Sequence, residues 1–180
     1  MKFTKSKVEK YLFVFGNEDE VKIENQIYQI GGAHATFIID SDSYTLSIES
    51  DWGSYSHKWW ADPNEEFKKL LCRIGTDYLL RKISDKTEIN WKETKKRAKE
   101  AYFRYGAEKD KERVSEFLRE LNHVDNNEVR FYDFMCDHNE ALFEGSYFVK
   151  EYPIQAQITA LIFKKYLLPE LQKELLGVLV

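Results

Sequence analysis

The decapeptide Asp51-Trp52-Gly53-Ser54-Tyr55-Ser56-His57-Lys58-Trp59-Trp60 holds three of the chain's four tryptophans within nine positions. Read as a strand, it projects Tyr55, His57 and Trp59 from one face and Trp52, Ser54, Ser56, Lys58 and Trp60 from the other. Aromatic faces offer large contact area at low entropic cost, and His57 and Lys58 add polar anchors for a protein partner or a nucleotide base. Trp52, Tyr55, His57, Lys58, Trp59 and Trp60 are therefore the candidate binding residues. The alternative is a structural strand covered on both faces, with Trp59 or Trp60 in the core.

Catalysis has less to work with. His57 as a general base needs an orienting partner, and the nearest carboxylates in sequence are Asp51 and Asp62. Asp133, Cys136, Asp137 and His138 crowd a second region with metal-ligating side chains, but Cys-x-His is not a standard zinc spacing and Cys72 has no neighbouring ligand. There is no Walker phosphate loop, dinucleotide glycine fingerprint, Gly-x-Ser-x-Gly elbow or His-Glu-x-x-His pair. No catalytic residue, metal or cofactor is expected from these patterns.

The elements that must position the aromatic segment are legible from periodicity. Val8 to Phe15 is a β-prone run that ends at Gly16-Asn17, and Val21 to Ile30 is another, closed by Gly31-Gly32. His34 to Ile39 supplies a further strand. Tyr44, Leu46 and Ile48 alternate with Thr45, Ser47 and Glu49, the pattern of a half-buried antiparallel strand. Trp52 to Trp60 closes the series before Asp62-Pro63-Asn64. The short polar connections favour antiparallel pairing.

After Pro63 the period becomes helical. Phe67, Leu70, Leu71 and Ile74 share a face that leaves out Lys68, Lys69 and Arg73; Gly75 ends that helix, and Thr76 caps a second short one carrying Tyr78, Leu79 and Ile83. Asn90 to Tyr105 and Lys109 to Asn122 read as a charge-dense helical hairpin broken near Gly106, the latter striped by Val114, Phe117, Leu118 and Leu121. Val129 to Phe143 is a further helix with Phe131, Phe134, Met135, Leu142 and Phe143 as buried candidates. Pro153 suits the first turn of a last helix docking through Ile154, Ile158, Leu161 and Ile162, which Pro169 kinks or splits. The expectation is an α+β fold: an N-terminal antiparallel meander of four to five strands packed on C-terminal helices, in a single domain over 1–180 with the sheet in 1–62 and the helices in 63–180.

Composition narrows the class. Aromatic residues make up 15% and charged residues 32% of the 180 positions, so large side chains form a core beneath an ionised surface, which excludes general disorder. The formal charge is -4 and neither sign forms a block. Binding to nucleic acid through clustered cations is disfavoured, because Lys92, Lys95, Lys96, Arg97 and Lys99 are interleaved with acids. No apolar run is long enough to span a bilayer, and Met1-Lys2-Phe3-Thr4-Lys5 lacks the apolar centre of a signal peptide, so a cytoplasmic protein with Cys72 and Cys136 as reduced thiols is expected.

The strand Asp51-Trp52-Gly53-Ser54-Tyr55 with Trp59, the helix Phe67-Lys68-Lys69-Leu70-Leu71 and the segment Asp77-Tyr78-Leu79-Leu80-Arg81-Lys82 together resemble a family of phage and prophage proteins. Tyr152-Pro153 and the stretch from Ile162-Phe163 to Pro169-Glu170-Leu171 extend the likeness to about half of the chain. The resemblance carries no reaction to transfer. It implies an accessory protein in the host cytoplasm that binds host or phage proteins, an inhibitor of a bacterial defence system such as an anti-CRISPR being the sharpest version. A nucleic-acid-binding accessory protein and an enzyme of unknown class are the alternatives, and self-association is open to an exposed aromatic patch.

Overall fold

Alternating side chains between Val8 and Lys58 build the sheet. The computed structural model describes residues 7–60, 66–105, 111–138 and 148–177. In it β1 (Val8–Val14), β4 (His34–Asp40), β5 (Thr45–Ser50) and β6 (Gly53–Lys58) form one antiparallel sheet in the order β1-β4-β5-β6. The run between β1 and β4 folds instead into its own hairpin, β2 (Glu20–Ile23) and β3 (Gln26–Gln29), with Val21 opposite Tyr28 and the turn made by Glu24 at φ 52°. Two close approaches set its base. A Cβ on Gly31 would lie 2.7 Å from the Asn17 Cα and 2.8 Å from the Gly16 oxygen, so only glycine fits there.

The register gives the sheet a buried and an outer face. Tyr11, Phe37, Ile48 and Tyr55 form one cross-strand row, and Glu9, Ile39, Leu46 and His57 the next. Phe37, Ile39, Leu46 and Ile48 are fully buried, which confirms the alternation expected of Tyr44 to Glu49. Their cover comes from α1 (Phe67–Arg73), α2 (Thr76–Ile83), α6 (Ile154–Ile162) and α7 (Leu168–Leu175). The Phe163 ring stands 6.3 Å from that of Phe37, and Phe67 stands 5.7 Å from Trp59.

Between α6 and α7 the chain does not break. Residues Phe163–Leu167 form a π-helical turn in which the Leu168 N–H donates to the Phe163 oxygen, five residues back. Pro169 follows in the first turn of α7. A proline inside a helix clashes with the carbonyl four residues before it, and the wider turn accommodates what tighter winding would not. The expected kink or split is thus resolved by local widening.

Contacts divide the chain into two compact units. One comprises the described residues up to Lys86 and from Tyr152 onward, and the other is Thr87–Glu151. The second unit is helical: α3 (Trp91–Tyr105), α4 (Lys111–His123) and α5 (Glu128–His138) pack Ala98, Tyr102, Phe117, Leu121, Phe131, Phe134 and Met135 into a separate core. Tyr102 stacks on Phe117 with centroids 3.6 Å apart. Its two ends are joined by a short antiparallel ladder, β7 (Glu88–Ile89) against β8 (Lys150–Glu151). Asn90 tightens this neck: its Oδ1 accepts from Glu93 N–H at 2.9 Å as a helix cap, while its Nδ2 donates to Glu151 at 2.8 Å. Gly106, Leu142, Phe143, Asp62 and Pro63, to which sequence expectations attached, lie outside the described residues.

Candidate binding site at the edge of the sheet

The aromatic segment occupies β6, an edge strand, and its side chains divide as the strand period requires. Tyr55 and His57 are half-buried on the inner face and Trp59 beyond them is core. Ser54, Ser56 and Lys58 are exposed on the outer face, and Trp60, two residues past the strand, is 100% exposed. Trp52 departs from the alternation. Gly53 takes φ 120°, which turns the chain before the strand begins, and Trp52 packs half-buried with its ring 6.0 Å from that of Phe15. The Tyr55 hydroxyl donates to the Trp52 carbonyl at 3.0 Å and closes this corner. The segment is therefore neither wholly platform nor wholly core: Trp59 anchors it, and Lys58 and Trp60 face water.

The electrostatics of His57 follow from that placement. Its ring meets Trp59 edge-on at 4.5 Å, and burial together with the nearby Lys82 charge pushes its pKa below the ordinary histidine value, so it is neutral at pH 7. Asp51 does not orient it. The Asp51 carboxylate accepts the His34 backbone N–H at 2.8 Å and lies 3.1 Å from His34 Nδ1, at the start of the strand rather than at its end. The indole N–H of Trp59 is buried and meets no acceptor among the described residues.

The second sequence cluster lies in the helical unit. Asp137 and His138 line a cavity of about 360 Å³ with Tyr102, Arg113, Glu116 and Glu120, while Asp133 points into solvent. His138 Nε2 lies 3.3 Å from a Glu120 oxygen and Nδ1 lies 3.1 Å from the Phe134 carbonyl. Both ring nitrogens face protein oxygens, so the histidine links α5 to α4. Among the described residues no group of three His, Cys, Asp or Glu side chains is placed to hold a metal ion. Both cysteines are free thiols, and burial pushes that of Cys72 above its ordinary pKa, away from the reactive thiolate.

Two of the basic side chains of α3 are engaged within the helical unit. Lys95 Nζ donates to the Val124 carbonyl at 2.8 Å and Lys96 pairs with Glu93 at 3.0 Å. Sequence reading missed a different lysine. Lys68, expected off the buried face of its helix, is 9% exposed, because its ammonium bonds Glu9 on β1 and Glu174 on α7, the latter at 2.5 Å. The Tyr11 hydroxyl completes the cluster at 3.0 Å from Glu174. The signal for this was unreadable beforehand, since the second carboxylate lies 106 positions away.

An antiparallel sheet with this helical cover and an α-helical second unit define an α+β protein, and comparison places it among proteins of phages. The chain belongs to the phage family Phage_phiTE_072, whose model matches residues 1–176, nearly twice the span over which the motifs alone suggested kinship. No curated protein and no solved structure matches it. No helix among the described residues is long and apolar enough to cross a membrane.

Proposed function

We propose that this phage protein acts by binding another protein, of the bacterial host or of the phage, through the exposed side of β6 around Lys58 and Trp60. One observation carries the reading: Trp60 is entirely exposed, an apolar side chain of the type that dominates interface energetics, and its neighbour Trp59 is anchored in the core. A rigid base beneath an exposed indole lowers the entropic cost of docking. The sharpest version is an inhibitor of a bacterial defence system such as an anti-CRISPR, acting in the host cytoplasm. A nucleic-acid partner has weaker support, since Lys95 and Lys96 are already engaged within the helical unit.

The test is affinity capture from infected host cells with the natural chain and with Trp60→Ala and Lys58→Glu variants, alongside phage protection assays against a panel of defence systems. A specific partner whose recovery falls about tenfold or more in Trp60→Ala is the expected outcome. Equal capture by all three chains would remove β6 from the reading, and no protection against any system would remove the defence-inhibitor version.

A further inference from the structure

The helical unit has a cleft of its own. Its volume is about 560 Å³, within the range of small-ligand pockets, and every residue that lines it belongs to Thr87–Glu151. The apolar wall is made by Ile89 of β7, Trp91 at the start of α3 and Val129 in the first turn of α5. Trp91 is held in place by other rings, with Phe131 at 5.8 Å and Phe148 at 6.0 Å. Val129 is 66% exposed, so this wall is uncovered.

The charged lining has one sign. Glu88 on β7 and Glu128 at the first position of α5 reach the cleft from two elements, and no lysine or arginine lines it. Neither carboxylate has an ion-pair or hydrogen-bond partner among the described residues. Arg130, the nearest cation along α5, is held by Asp125 instead. The positive end of α5 does not make this an anion site: the Asn127 Oδ1 already accepts the Arg130 N–H at 3.1 Å, and both acids repel a negative ligand.

We infer that the cleft takes a guanidinium group, the arginine side chain of a partner protein. A cation is attracted to an indole as well as to a carboxylate, so aromatic and acidic walls together select positive charge. A guanidinium is planar and carries five donors in a fixed fork, so it can lie along Trp91 while bonding carboxylates that approach from β7 and α5. A lysine ammonium is a compact, strongly hydrated point charge and gives up more water to enter. Free arginine brings a carboxylate that Glu88 and Glu128 repel, which favours the side chain of a peptide.

Titration of the full chain with a blocked glycine-arginine-glycine tripeptide, followed by its amide and indole N–H resonances, tests this. The Trp91 indole signal, identified by its loss in Trp91→Phe, is expected to shift saturably. The citrulline tripeptide has the same shape without the charge and is expected to bind about tenfold more weakly. The lysine tripeptide and free arginine also bind more weakly than the arginine tripeptide. Glu88→Gln combined with Glu128→Gln weakens arginine binding by about tenfold or more. Both positions are exposed, and unchanged resonances elsewhere confirm that the double variant folds. If it does not fold, the citrulline comparison on the natural chain decides. A Trp91 signal that does not move, citrulline, lysine or free arginine binding as tightly as the arginine tripeptide, or a folded double variant that binds unchanged overturns the inference. Trp60 belongs to the other unit, so its capture of a partner stands or falls separately.

Discussion

Lys68 shows how much one side chain decides in the sheet unit. Its ammonium is held by Glu9 and Glu174 from two other elements, and its charge is favoured because those bonds outweigh the burial that opposes it. For Glu174, burial alone would raise the pKa, but bonds from Lys68 and Tyr11 prevail and hold it below the usual carboxylate range. Burial, partly offset by Lys68, pushes Tyr11 up to about 12. The signs differ for the two ends of the pH scale. Stability contributed by Glu174 is present above its unfolded value near 4 and is lost as pH falls through the lower folded one. That contributed by Tyr11 is full below about 10 and is lost as pH rises toward about 12. Lys68→Met leaves two carboxylates facing each other. Urea denaturation at pH 7 is expected to show a loss of about 1–3 kcal/mol, less than for a fully buried pair because both acids are partly exposed. Helical periodicity placed Lys68 in solvent because one helix's pattern carries no information about carboxylates on distant elements. It placed Phe67 and Leu71 correctly because their burial depends on their own helix's face.

At the scale of elements, period was a sufficient guide wherever one face of an element met the core. The strand around Leu46 and Ile48 follows its pattern, whereas the last helix is buried more widely than its expected face: Ala156, Thr159 and Ala160 are buried with Ile158 and Ile162, and Ile154 and Leu161 are only half-buried. Pattern failed where a turn intervened, as at Trp52, whose side chain swings inward because Gly53 breaks the extended conformation. It also could not foresee that Val21 to Ile30 would leave the main sheet. That hairpin is tied to the last helices through Asp19, one of whose oxygens accepts from the Gly16 N–H at 2.7 Å and the other from the Tyr166 hydroxyl at 2.8 Å. Lys165, on the same π-helical turn as Tyr166, donates to the Glu20 carbonyl at 2.8 Å. The tightness of the hairpin's base gives a direct test. Gly31→Ala forces a methyl against the backbone of Asn17 and Gly16 and is expected to cost about 1–3 kcal/mol in thermal or urea unfolding.

The described residues up to Lys86 and from Tyr152 onward make the sheet unit, and the stretch between them in sequence makes the helical unit. Glu88 pairs with Glu151 and Ile89 with Lys150, so the helical unit begins and ends at one place and has a core of its own. Residues 87–151 expressed alone are therefore expected to fold, giving a helical circular dichroism spectrum and a cooperative melt. A short Gly-Ser linker from Lys86 to Tyr152 should leave the sheet unit folded, because paired strand ends lie only about 5 Å apart. A non-cooperative melt of the excised segment would show that its core does not suffice. The two edges of the sheet bear on assembly. An element with two receptive edges can be extended without limit and runs into fibres, whereas one with a single receptive edge is used up by its first pairing. Lys10 on β1 and Lys58 on β6 set a charge on each edge where a further strand would have to pair, so the sheet carries its own guard against growth into fibres.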